Sequence, residues 1–164
     1  MVVSNEGSTA REAAAISTSL KLWVVLARAY RAVAGRAGED ISRHDLTAAE
    51  FGVLEALHHK GPLLLGEIQK KVLISSGGIT YVIDRLTGKQ LVQRLPSPDD
   101  RRACFAALTD EGRALMAKIF PVHEKHLQDV LAGLNEREQR EATDLLRKLG
   151  RYAAEFDAEM QTVR

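Results

Sequence analysis

The sequence predicts a mainly α-helical protein with a small β-hairpin, called the wing below. Apolar residues recur at three-to-four-residue spacing over most of the 164 positions, and helix-capping motifs precede several of these stretches. Near position 100, two short apolar runs flank a loop with two prolines and four charged residues. Short helices followed by such a hairpin are typical of a winged helix-turn-helix, here flanked by helices from both ends of the chain.

The composition is that of an ordinary soluble globular protein, with 45% hydrophobic and 27% charged residues. A net charge of +1 argues against binding nucleic acid over the whole surface. Positive charge is nevertheless concentrated in Glu67–Arg102, which holds seven basic and four acidic residues. The single cysteine allows no intrachain disulfide, and neither a signal peptide nor a membrane span is predicted, so we expect a cytoplasmic protein.

The N-terminal region is predicted to begin with a flexible segment, residues 1–10, followed by a helix over residues 11–34. This helix has more apolar surface than one small domain would cover. Gly35–Asp45 is polar and is predicted to be a connector.

The C-terminal region, residues 109–164, is predicted to form two further helices. Thr109 caps the first of these, which Pro121 should kink by removing a backbone hydrogen bond. Asn135 and Glu138 resemble the cap of the last helix. Together with residues 11–34, these helices predict a helical dimerisation region.

Residues 46–108 are predicted to form the DNA-binding domain. Thr47 and Glu50 have the spacing of a capping box at the start of its first helix. Leu63–Leu65 is predicted to supply a short strand, and Gly66–Leu73 the next helix.

The recognition helix is predicted just after Ser75. Ile79, Val82, Ile83 and Leu86 are spaced to form one buried stripe. The residues on the other side are small, hydroxylated or basic, which suits close approach to a DNA groove. They are Ser75, Ser76, Gly78, Thr80, Tyr81, Arg85 and Lys89.

The wing is predicted to consist of the strands Leu91–Leu95 and Ala103–Leu108 around a charged loop. Arg101 and Arg102 lie at the end of this loop and Arg94 in the first strand. Because these arginines follow the recognition helix directly, we expect them to contact DNA beside it.

Several motifs occur in a characteristic order: Leu46–Phe51, Gly77–Thr80, Asp84–Leu86, Asp100–Arg102 and Leu108–Gly112. Each motif alone is weak, but in this order they resemble the multiple-antibiotic-resistance regulator (MarR) family of bacterial repressors, over roughly residues 20–156. Within that family, LKLWVVLARAY, the His59-Lys60-Gly61 helix end and SSGGITYVIDRL look most like the quinone- or hydroquinone-responsive repressors.

The resemblance implies how DNA is contacted. The start of the recognition helix would meet the major groove and phosphates, and Arg85 the DNA backbone. Arg102 would enter the minor groove, oriented by Asp100. Tyr81 stands where other members often have a basic residue, and Leu64 where many have a Ser or Thr cap. The predicted DNA-binding residues are Ser75, Ser76, Gly78, Thr80, Tyr81, Arg85, Arg94, Asp100, Arg101 and Arg102.

An effector pocket is predicted where the DNA-binding domain meets the dimerising helices. Packing in the core is the more common role of aromatic residues at helical spacing, and both interpretations stay open. The resemblance favours a pocket, because the family binds small, often phenolic effectors at that junction. The candidate residues are Trp23, Ala27, Phe51, Leu54, His58 and Phe120.

Catalysis, cofactors and metals are not predicted. No nucleophile–base pair or phosphate-binding loop is present in the sequence, so an enzyme is not expected. His123 and His126 are one turn apart, a spacing that zinc uses, but no carboxylate or cysteine is placed with them. Cys104 is interpreted as a small apolar residue, with a thiol redox switch as the alternative.

The predicted function is that of a ligand-responsive repressor. It would bind a pseudo-palindromic operator in double-stranded DNA as a homodimer and be released by a small phenolic or quinone-like effector. The alternative is a small-molecule-binding helical dimer without a role in DNA regulation.

Overall fold

A computed structural model describes the backbone of residues 6–72, 76–96 and 104–162 and the side chains of residues 17–72, 78–96 and 104–155. The elements are α1 (Glu6–Ser42), α2 (Ala48–Lys60), β1 (Leu63–Leu64), α3 (Leu65–Val72), α4 (Ser76–Gly88), β2 (Val92–Pro96), β3 (Cys104–Leu108), α5 (Asp110–Leu131) and α6 (Glu136–Thr162). The predicted fold class, mainly helical with a small β-hairpin, is confirmed. Because α1 begins at Glu6, it includes half of the segment that was predicted to be flexible.

The strands form one antiparallel sheet in the order β1-β3-β2. In the wing, β2 and β3 pair with Val92 opposite Leu108 and Pro96 opposite Cys104. The short β1 adds to the other edge of β3, where Leu63 lies opposite Ala106. The strands predicted from the sequence are therefore confirmed, with boundaries that differ by about one residue.

The predicted capping boxes are both present. At α2, the Thr47 N–H donates to Glu50 Oε2 (2.8 Å), and the Glu50 N–H donates to Thr47 Oγ1 (3.2 Å). At α6, the Asn135 N–H donates to Glu138 Oε2 (2.9 Å), and the Glu138 N–H donates to Asn135 Oδ1 (3.0 Å). These reciprocal bonds satisfy backbone donors that the first helical turn leaves unpaired.

The starts of α3 and α5 show two other solutions. Leu64 has no side-chain hydroxyl that could cap α3. Its own N–H instead donates to the Glu67 carboxylate, at 3.0 Å from Oε2. At α5, Thr109 Oγ1 accepts the Gly112 N–H at 3.0 Å. Gly112 lies so close to the wing that a Cβ there would be 2.0 Å from the Leu91 carbonyl oxygen. A glycine is therefore required at this contact.

The polar connector predicted at Gly35–Asp45 is wrong over most of its length, because α1 continues to Ser42. Asp40 and Ile41 are each only 5% exposed, and this burial holds the last turn in helical form although its sequence is polar. The chain leaves the helix just afterwards, where Asp45 has a φ of 56°.

The chain divides into two compact units, residues 1–126 and 127–164. The first has a core in which Val53, Leu54, Ile68, Ile83 and Leu86 are fully buried. The second contains α6 and the end of α5, which continues through Pro121 to Leu131. Within the described residues, no helix is long and apolar enough to cross a membrane.

Candidate nucleic-acid interface

The recognition helix α4 is anchored by the predicted apolar stripe. Ile79 and Val82 are 4% and 6% exposed, and Ile83 and Leu86 are completely buried. Thr80, Tyr81 and Arg85 are exposed on the opposite side, and Gly78 is partly exposed. The helix thus presents small, hydroxylated, aromatic and cationic groups on a firmly packed support, an arrangement that can read DNA.

Tyr81 and Arg85 form a pair on the exposed side of α4. Arg85 Nη1 donates to the Tyr81 hydroxyl oxygen at 3.4 Å, and the guanidinium carbon lies 5.9 Å from the centre of the Tyr81 ring. These residues are four positions apart, so their side chains meet on one helix face. The pair offers a cation and a phenol at the same place.

Arg85 also contacts Glu50 of α2. Its Nε donates to Glu50 Oε1 at 2.9 Å, and Lys89 Nζ lies 3.2 Å from the same oxygen. Glu50 is only 1% exposed, and its other oxygen accepts the Thr47 N–H. The Glu50 carboxylate is therefore shared between the start of α2 and two cations, Arg85 of α4 and Lys89 just after the helix.

Burial alone would raise the pKa of Glu50, because desolvation disfavours the charged form. Hydrogen bonds from Thr47, Arg85 and Lys89 outweigh that effect and lower the pKa from 4.5 to about 2. The group is thus a stable anion near neutral pH. The sequence identified Glu50 as a capping residue and gave no sign of this second role, because its cationic partners lie 35 and 39 residues away.

The wing is joined to α4 by Arg94. Its Nη2 donates to Asp84 Oδ1 at 2.7 Å, and both side chains remain substantially exposed. This ion pair connects β2 to the recognition helix, so Arg94 lies beside α4, where a DNA contact was predicted.

The remaining predicted DNA contacts lie at the limits of the described structure. Ser75, Asp100, Arg101 and Arg102 are outside the described residues, and Ser76 begins α4 with a side chain that is likewise outside them.

The predicted effector residues occupy different environments. Phe51 is 3% exposed and Leu54 is fully buried, so both pack in the core, whereas Trp23 is 65% exposed. His58 is exposed, while Ala27 is partly buried.

A ring cluster lies where α2 and α5 meet. Phe120 is partly buried, and the centre of its ring is 5.6 Å from that of His58 and 4.8 Å from that of His59. The structure therefore brings His58 and Phe120 together and adds His59, which was not among the predicted effector residues.

A second pair missed by the sequence analysis connects α5 to α1. His123 Nδ1 lies 2.9 Å from Asp40 Oδ2, with both residues buried, and the His123 ring contacts Phe51 with a centroid distance of 4.5 Å. The neighbouring His126 pairs through Nε2 with the Arg36 carbonyl oxygen at 3.2 Å. Across the described side chains, no group of three or more His, Cys, Asp or Glu is arranged to hold a metal ion.

Comparison with known proteins places this arrangement in a family. The family model described as "MarR family" matches residues 46–104. The HTH-type transcriptional regulator MhqR of Bacillus subtilis (strain 168) is 43% identical over 138 residues, which are 84% of this chain and 95% of the relative.

Two solved structures of transcriptional regulators are similar to this chain. A structure of Bordetella bronchiseptica BpsR, whose DNA binding is regulated by 6-hydroxynicotinic acid, has a TM-score of 0.72 and 34% identity over 79% of this chain and 98% of that one. A mutant MarR of Escherichia coli in complex with operator DNA has a TM-score of 0.73 and 27% identity, over 80% and 95% of the two chains. A winged helix-turn-helix with an exposed recognition face defines a DNA-binding transcriptional regulator. The chain belongs to the MarR family.

Proposed function

We propose that the protein is a ligand-responsive repressor that binds a pseudo-palindromic operator as a homodimer. Residues 46–108 form the DNA-binding domain, and residues 11–34 and 109–164 mediate dimerisation. The observation that carries the proposal is the exposed face of α4, where Thr80, Tyr81 and Arg85 lie opposite a fully packed apolar stripe.

The two recognition helices of the dimer enter successive major grooves, about 34 Å apart. Gly78, Thr80 and Tyr81 approach base edges, joined by Ser75 and Ser76 at the start of the helix. Arg85 and Arg94 meet the DNA backbone. Asp100, Arg101 and Arg102, in the segment between β2 and β3, serve as the minor-groove contact.

Dimerisation is supported by apolar side chains that the single chain leaves exposed. On α1 these include Leu20, Trp23 and Tyr30, which are 60%, 65% and 74% exposed. On α6, Leu145 is 68% exposed. Large exposed apolar surfaces on soluble proteins mark interaction sites, and a second copy of the chain covers both helices in this proposal.

The effector is proposed to be a small aromatic acid, phenol or quinone. BpsR, which is 34% identical, responds to 6-hydroxynicotinic acid. The rings of Phe120, His58 and His59 provide an apolar and hydrogen-bonding surface suited to such a molecule. Because the chemistry is shared among many aromatic compounds, a binding screen must identify the compound.

The test is titration of labelled DNA from upstream of the protein's own gene, in fluorescence anisotropy at several salt concentrations. Sub-micromolar, salt-sensitive binding that a hit from a phenol and quinone thermal-shift screen reverses is the expected result. Arg102→Ala should lower affinity and reduce the salt slope by about one ion per protomer. Ligand binding without any DNA binding would instead favour the alternative, a helical small-molecule-binding dimer.

A further inference from the structure

The proposed function gives no role to a buried carboxylate of α2 that contacts the recognition helix. Glu50 belongs to α2 and is 1% exposed, so it has no place on the DNA-facing surface. It nevertheless contacts Arg85 Nε at 2.9 Å and Lys89 Nζ at 3.2 Å, across 35 and 39 residues of sequence. One carboxylate thus holds a cation of α4 and the cation that follows the end of this helix.

These contacts add to the buried apolar stripe in restraining the rotation of α4 about its axis. Arg85 lies in the last turn of α4, and Lys89 directly follows the end of the helix, where its N–H donates to the Arg85 carbonyl oxygen at 3.0 Å. Positions four residues apart differ by only about 40° around a helix axis, so a rotation of α4 would move both cations away from Glu50 together. Lys89 additionally donates to the Asp45 carbonyl oxygen, which ties the end of α4 to the residues before α2.

The same contacts fix the orientation of the Arg85 side chain. A guanidinium group is a planar fork whose donors have fixed relative directions. With Nε on Glu50, Nη1 is directed to the Tyr81 hydroxyl, 3.4 Å away. The Glu50 contact thereby determines where Arg85 and Tyr81 stand on the exposed side.

We propose that Glu50 is a positioning residue for DNA recognition, which sets the orientation of Arg85 and Tyr81 and so the discrimination between operator and other DNA. This inference rests on the proposed function, since it assigns a role within the same DNA-binding surface. Glu50 itself does not touch DNA. A purely structural role would instead affect folding stability and leave the discrimination of the folded protein unchanged.

The first test is Glu50→Gln in the full-length protein. An amide oxygen can still accept the Thr47 N–H, so the cap of α2 is kept while the charge that holds Arg85 and Lys89 is removed. We expect a folded protein by circular dichroism whose operator affinity falls about tenfold while its affinity for non-operator DNA changes little. The ratio of the two affinities is the readout.

Glu138→Gln is the matched control. Glu138 occupies the same position in the α6 capping box, where Glu138 Oε2 accepts the Asn135 N–H, but it is exposed and no ion pair to it is present within the described residues. This variant should keep the wild-type discrimination ratio. A loss of discrimination in Glu138→Gln as large as in Glu50→Gln would contradict a specific role of Glu50.

The second test is Arg85→Lys, which remains informative if Glu50→Gln does not fold. Lysine keeps the positive charge but has no planar fork, so the salt slope should persist while discrimination falls. Combining Glu50→Gln with Arg85→Ala should cost no more discrimination than Arg85→Ala alone, because Glu50 acts through Arg85.

The outcomes separate the two proposals. If the wild-type protein binds no DNA, the proposed function fails and the positioning role falls with it. If the wild-type protein distinguishes operator from other DNA, two results would overturn only the positioning role. One is that Glu50→Gln and Arg85→Lys both retain the wild-type ratio of operator to non-operator affinity. The other is that the losses caused by Glu50→Gln and Arg85→Ala are additive.

Discussion

His123 in α5 lies 2.9 Å from Asp40 in α1, and both side chains are almost completely withdrawn from water. The Nδ1 atom of the imidazole faces Oδ2 of the carboxylate, and the ring packs on Phe51 of α2. Residues of α1, α2 and α5 therefore meet at one buried polar pair. Removing one member of such a pair lowers the free energy of unfolding, because the remaining group stays buried without a partner.

Asp40→Ala should accordingly lower the free energy of unfolding by about 1–3 kcal/mol, since His123 loses its buried partner. Asp40→Asn keeps an oxygen that can accept from Nδ1 and should cost less than the alanine variant. Urea unfolding followed by circular dichroism measures both. Equal losses in the two variants would show that the carboxamide does not replace the carboxylate in this contact.

Gly112→Ala should be strongly destabilising, because the new Cβ would lie 2.0 Å from the Leu91 carbonyl oxygen, a backbone atom that side-chain motion cannot relieve. We expect a loss of about 2 kcal/mol or more in unfolding free energy, as for other overpacked sites. Gly38→Ala is the matched control, since Gly38 lies within α1 and a Cβ at that position would meet no neighbouring atom within 4 Å. That variant should be neutral or more stable by up to about 1 kcal/mol.

The order and extent of most elements were predictable because their signals are local. Apolar spacing indicated α4 and the wing strands, and Thr47 with Glu50 indicated the start of α2 from residues only three apart. The same logic misjudged α1, where polar residues after Gly35 suggested a connector. Its last turn is helical because Asp40 and Ile41 are buried by other parts of the chain, which local spacing does not reveal.

The exposed surface of the candidate site was predictable from the sequence, but the contacts that hold its side chains in place were not. The exposed residues of α4 follow from helical geometry once its apolar stripe is identified. The partner of Arg85 lies 35 residues away and that of His123 lies 83 residues away, so neither contact has a local signature. Phe51 and Leu54 illustrate the same point, since only the packed fold shows that both belong to the core.

Stability should fall on acidification partly through Glu50. Its carboxyl has a pKa of about 2 in the folded protein, against 4.5 as the ordinary value. The unfolded chain therefore takes up a proton first. The stabilisation that ionised Glu50 gives the folded protein is complete above about pH 5 and is lost as the pH falls from 4.5 towards 2. Between pH 6 and pH 4 this single group should remove about 1 kcal/mol of unfolding free energy.

The measurement is urea unfolding of the wild-type protein and of Glu50→Gln across that range. The variant starts less stable at pH 6 and should show a shallower decline, since it lacks the titrating group. Parallel stability curves for the two proteins would place the acid sensitivity at other residues.

The apolar stripe of α6 should determine the oligomeric state. Leu145, Leu149 and Tyr152 recur at helical spacing and are 68%, 38% and 66% exposed. Replacing Leu145 and Leu149 together by glutamate places unpaired charges in the proposed dimer interface. We expect the dimer dissociation constant to rise by about two orders of magnitude or more, because buried unpaired charges are costly. Sedimentation velocity over a concentration series measures the change.

The matched control for this variant is Arg147→Gln with Arg151→Gln. It changes the net charge by the same two units but alters the opposite face of α6, where Arg147 pairs with Asp144 at 2.7 Å. The control should remain dimeric and bind DNA as the wild-type protein does. The glutamate variant should lose operator binding in parallel with its dimer, because a single recognition helix contacts only one half-site. A glutamate variant that stays dimeric would remove α6 from the interface and leave α1 as the remaining candidate surface.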